Sequence, residues 1–100
     1  MTDPASPSWR VDITQDGRGG TITYREPAGV ISFHWEFGGG DTVAIIFIDG
    51  LQSWRTRHPW AAERRHEILK RIAHETVRQK APACRADIDD QGGYIHILGK

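Results

Sequence analysis

Five histidines, a single cysteine and a short run rich in arginine and tryptophan are the residues of this chain whose types could do chemistry. His58, His66 and His74 recur every eight residues. Eight steps of a helix turn about 80° and rise about 12 Å, so His66 and His74 cannot share one ion. A helical zinc pair stands three or four residues apart, and this spacing gives no metal site. His34 and Glu36 sit two apart in an alternating stretch, on one side of a strand and about 7 Å apart along it. A base–acid pair of that kind also needs a nucleophile or reacting group in reach, and none is identifiable. Cys84 has His96 in the neighbouring segment, yet nothing marks an activated thiol. It reads as a small, buried, inert cysteine. "GRGG" (17–20) and "GGGD" (38–41) do not join a strand to a helix, as a phosphate cradle requires. They read as hairpin turns. No cofactor fingerprint is present, and the chain reads as non-catalytic.

The stretch "SWRTRHPWAAERRHE" (53–67) holds two of the four tryptophans. Charge is unevenly spread around it. Residues 1–54 carry three Arg against seven Asp and Glu, a net of −4. Residues 55–85 carry nine Arg and Lys against three Glu, a net of +6, and residues 86–100 a net of −2. One reading is a basic helix neutralised by an acidic sheet of its own chain. The other is a polyanion surface made of Arg55, Arg57, Trp60, Arg64, Arg71 and Arg78. Trp60 either stacks on Arg64, four residues on, or folds back onto Leu51 and Trp54 to set the angle at which the helix starts. Glu67 with Arg71, and Arg71 with Glu75, are spaced to neutralise the middle of the outer helix face. No helix-turn-helix, zinc-finger or RNP signature is present, so nucleic-acid binding rests on charge alone.

The elements that must position these residues follow from periodicity. Residues 8–13 alternate Trp9, Val11 and Ile13 with polar residues, the pattern of a half-buried strand. Residues 21–26 and 30–37 do the same. "EPAG" (26–29) is a tight turn with proline at its second position. Residues 42–49 are apolar on both sides. Three of these segments form an antiparallel meander over 21–49. Setting Glu26 against Gly29 brings Tyr24 to Ile31 and Ile22 to Phe33. Setting Phe37 against Thr42 brings Trp35 to Ala44 and Phe33 to Ile46.

Residues 49–58 read as a loop. Pro59 then starts a helix that runs over 60–80 without glycine or proline. Ala61, Ile68, Leu69, Ile72, Ala73 and Thr76 make its apolar stripe. Arg65 lies within that stripe, its stem on the core and its head reaching water. Residues 84–89 and 94–98 read as a C-terminal hairpin around "DQGG". The expectation is an α+β fold of order ββββ–α–ββ. One long amphipathic helix lies on one face of a mostly antiparallel sheet.

A meander in that register sends Val43, Ile45 and Phe47 to the face away from the helix, beside His34 and Glu36. These five residues are the candidate partner surface. One hundred residues suit one domain over 9–100, with Pro4 and Pro7 suggesting a flexible tail over 1–8. No apolar run approaches the ~20 residues of a membrane span, and one cysteine excludes an internal disulfide. The reading is a cytoplasmic protein-interaction module, binding another protein or itself as a homodimer through the face opposite the helix. The alternative is nucleic-acid or polyanion binding through the helix and the Arg55–Arg57 loop.

Overall fold

The computed structural model describes residues 8–99. Of the tail expected over 1–8, residues 1–7 lie outside the described part. Six antiparallel strands form one sheet: β1 (Arg10–Asp16), β2 (Gly19–Glu26), β3 (Gly29–Phe37), β4 (Thr42–Phe47), β5 (Arg85–Asp89) and β6 (Tyr94–Leu98). Their order across the sheet is β1-β2-β3-β4-β6-β5. Between β4 and β5 the chain makes a short helix α1 (Leu51–Arg57), a 3₁₀ segment (Pro59–Arg64) and the long helix α2 (Arg65–Lys80). The fold is α+β, with α2 lying on one face of the sheet.

The β2–β3 register is the expected one. Glu26 faces Gly29, Tyr24 faces Ile31 and Ile22 faces Phe33. The β3–β4 register is two residues off: Phe37 faces Ala44 and Trp35 faces Ile46. The cause lies in the turn. Thr42 N–H donates to Gly39 O at 3.1 Å and Gly38 N–H to Val43 O at 3.0 Å, so the loop shrinks to Gly40 and Asp41. Gly40 takes φ +61°, which only glycine adopts at no steric cost. A shift of two leaves the side chains from Ala44 to Phe47 on the faces they would otherwise have had. Ile31, Phe33, Trp35, Ala44 and Ile46 therefore all point toward α2 and are buried.

Helix α2 buries the expected stripe of Ile68, Leu69, Ile72, Ala73 and Thr76, and Ala61 before it is also buried. Two local expectations are corrected. Residues 49–58 are not a loop throughout, because α1 occupies Leu51–Arg57. Seven residues are too few to show helical periodicity, and so short a helix depends on a tertiary anchor. Trp54 supplies it: fully buried, stacked 6.1 Å from Phe33, with its indole N–H donating to Ala61 O at 2.8 Å. The regular α-helix begins at Arg65 rather than at residue 60, since Pro59–Arg64 winds as 3₁₀. Three residues per turn carry Trp60 away from the place that a 3.6-residue projection gives it.

Arg65 is buried as expected, but its head does not reach open water. Its Nε and one terminal nitrogen donate to Asp49 O at 3.3 and 2.9 Å, and the other donates to Asp90 Oδ1 at 2.6 Å. One side chain on α2 thus ties the end of β4 to the β5–β6 turn.

Candidate functional site

Hydrogen bonding across strands places the outward residues in rows. One row runs Thr21, His34, Phe47, Tyr94, Asp89; the next runs Gly19, Glu36, Ile45, His96, Asp87. The rows follow from β6 lying between β4 and β5. "YIHIL" alternates, so once Ile95 and Ile97 face the core, Tyr94 and His96 must face away. No described element covers this side of the sheet.

The rows are in contact. The His34 and Phe47 rings lie 5.7 Å apart and nearly parallel, at 21°. Phe47 meets Tyr94 edge-on at 5.6 Å, and Tyr94 lies 5.8 Å from His96. The result is an aromatic strip over three neighbouring strands. Phe47 is 37% exposed and Tyr94 36%. His34 and Glu36 bend toward each other, bringing Nε2 to 3.4 Å from Oε2, closer than the backbone spacing alone suggests. Gly19 has no side chain opposite Glu36, which leaves a shallow polar hollow bordered by Asp16, Thr21, His34 and Glu36.

Of the five residues named for a partner surface, His34, Glu36, Ile45 and Phe47 occupy these two rows. Val43 is 40% exposed but sits at the β-bulge between Thr42 and Ala44, where strict alternation breaks. It borders a cleft on the helix side of the sheet. Sequence reasoning missed Tyr94 and His96. Their alternation was legible; that β6 would lie beside β4 was not.

The arginines named for a polyanion surface are each engaged with a carboxylate of this chain. Arg55 lies 3.6 Å from Glu63, Arg57 2.9 Å from Asp49, Arg64 2.8 Å from Glu26, Arg71 3.1 Å from Glu67 and Arg78 2.7 Å from Glu75. Arg64 does not stack on Trp60. It bridges Glu26 and Glu67 instead. Trp60 is half-buried and lies over Gly29, at the end of the β2–β3 turn. The cation–π contact that does form is Arg71 over Trp9, at 5.0 Å.

Electrostatics follow the pairing. Hydrogen bonds from Arg64 hold the Glu26 and Glu67 carboxyls below their usual range. Arg78 takes Glu75 down to about 2. Burial and the bond donated to Glu26 push the Tyr24 hydroxyl up, although Arg71 donates to the same oxygen at 2.7 Å. Arg64 on Glu26 and Arg71 on Tyr24 clamp the helical segment to β2, whereas Glu75 and Arg78 pair within α2. The groups of the clamp lie between helix and sheet and do not meet in a pocket.

Other chemistry finds no assembled group. Cys84 is half-buried and packs against the core, while His96 faces Asp87, three residues further on. Among the described residues no three of His, Cys, Asp and Glu come together as metal ligands would. No described helix is long and apolar enough to cross a membrane. No family model matches the chain, and neither does any curated protein or solved structure.

Proposed function

We propose that this protein works by binding rather than catalysis, pairing the open face of its sheet with a second copy of itself. The observation that carries the reading is Phe47. On a central strand, with β3 and β6 on either side, it remains 37% exposed between His34 and Tyr94. Exposed aromatic rows of this kind are what interface cores are made of.

The face is self-complementary. A two-fold axis along β4, parallel to the strands, lays β3 of one copy over β6 of the other. Glu36 then meets the second copy's His96, and His34 meets its Tyr94, because each pair shares a row. Strands about 4.8 Å apart and about seven residues long make a face of roughly 24 by 23 Å, or on the order of 1,100 Å² buried by both copies. That is at the low end for specific complexes, so the dimer is weak and reversible. One cysteine suits a reducing cytoplasm.

The polyanion reading has less to rest on, since five of its six residues are arginines already facing carboxylates. Sedimentation across about 10 µM to about 1 mM tests the dimer. The expected result is a monomer–dimer equilibrium that Phe47→Asp abolishes while the melting temperature stays nearly unchanged. A strict monomer over that whole range defeats the proposal.

A further inference from the structure

Helix α2 stops at Lys80, short of the far end of the sheet. The uncovered end leaves a cleft of about 200 Å³ on the helix side, with Ile13, Trp35, Phe37 and Ile46 on the sheet side and Thr76 and Lys80 on α2. Its floor is built deliberately. Gly20 faces Trp35, and without a side chain there the indole lies across β2 and donates to Thr14 O at 2.9 Å. Phe37 stands edge-on to Trp35 at 4.9 Å and is 45% exposed.

The polar groups at the rim differ in one respect. Thr76 Oγ1 is satisfied, donating to Ile72 O at 2.7 Å. Thr14 Oγ1 donates to Thr21 O at 3.4 Å and Gln15 Nε2 to Gly17 O at 3.2 Å. Lys80 makes no ion pair among the described residues. The site is therefore an apolar slot with one uncompensated cation at its edge.

We propose that this cleft binds a small amphiphilic carboxylate: an alkyl chain of about eight carbons, or one aromatic ring, carrying a single acid. The size follows from the volume, since an apolar cavity of about 150 Å³ accepts benzene. The tail lies against Trp35 and Phe37, and the carboxylate meets the Lys80 ammonium. The site is on the opposite face from the proposed dimer contact and does not depend on it.

An NMR titration of the full chain with octanoate tests this, following the four tryptophan indole N–H signals, with octan-1-ol and octylammonium as comparisons. Only the Trp35 signal, assigned by its loss in Trp35→Phe, is expected to move, and saturably. Octanoate should bind about two- to fivefold more tightly than the alcohol, as an exposed ion pair allows. Lys80→Gln should remove that preference with the alcohol's affinity unchanged. Phe37→Asp should abolish octanoate binding. Absence of a saturable Trp35 shift overturns the site. Equal binding of acid, alcohol and amine overturns the carboxylate. Loss of self-association in Phe37→Asp, with no octanoate binding in the parent chain, gives the cleft to a second copy.

Discussion

The Phe47 ring lies 5.7 Å from the His34 imidazole and nearly parallel to it, across adjacent strands on the uncovered side of the sheet. A hydrogen-bonded register alone brings the two together, since His34 and Phe47 face each other directly. The same register puts Glu36 and His96 on opposite sides of Ile45.

That separation makes the orientation of the proposed dimer testable. Within one copy Glu36 and His96 are two strands apart, about 10 Å. Across the two-fold axis they meet. Glu36→Gln and His96→Gln should each weaken the dimer about two- to fivefold, and the double variant should be no weaker than either single one. Additive effects in sedimentation would place the two residues in separate contacts.

Arg65 ties α2 to two other parts of the chain. Its buried guanidinium holds Asp49 O and the Asp90 carboxylate together. Arg65→Met keeps most of the packing but removes these bonds, at an expected cost of about 2–3 kcal/mol. Urea unfolding should show a lower midpoint with an unchanged slope.

Gly29 and Trp60 should be coupled. A Cβ on Gly29 would come within 2.8 Å of Trp60 Cζ2, and the backbone there is ordinary, so the penalty is steric. Gly29→Ala should cost about 1–3 kcal/mol. In a Trp60→Ala background most of that cost should vanish. A double-mutant cycle with no coupling would contradict the packing described.

Acid should destabilise the protein by protonating carboxyls paired with arginine, Glu26 across the helix–sheet contact and Glu67 and Glu75 within the helical segment. Glu26, Glu67 and Glu75 all lie below the usual 4.5, so the folded chain binds these protons less readily than the unfolded one. The stability they contribute is complete above about pH 4.5 and is lost as the pH falls, for Glu75 toward about 2. Thermal melts should hold steady down to about pH 5 and then decline. Glu75→Gln should make the decline shallower.

Retention on a polyanion column should be weak. With Arg55, Arg57, Arg64, Arg71 and Arg78 each beside a carboxylate, elution is expected at about 0.1 M salt or below. Retention to much higher salt would revive the nucleic-acid reading.

Much of the architecture is legible in the sequence. Alternation in "VISFHWEF" and "TVAIIFID" assigned each residue to a face, and the stripe from Ile68 to Thr76 marked the buried side of the helix. The register of β3 against β4 was not legible, because four consecutive turn residues permit loops of two or four. α1 was missed since its only buried residue is Trp54, and one residue has no period.

Which side of each strand is greasy is a property of the chain itself, because successive side chains of an extended backbone alternate by geometry. So the sharing of one face by Phe47, His34 and Glu36 could be read from order alone, though not which of them stand opposite each other. That Tyr94 and His96 complete the strip, that Arg64 and Arg71 turn inward to Glu26 and Tyr24, and that a cleft opens beyond Lys80 were decided by the tertiary structure. Each depends on where a segment distant in sequence comes to rest, and alternation carries no information about neighbours across a crossover.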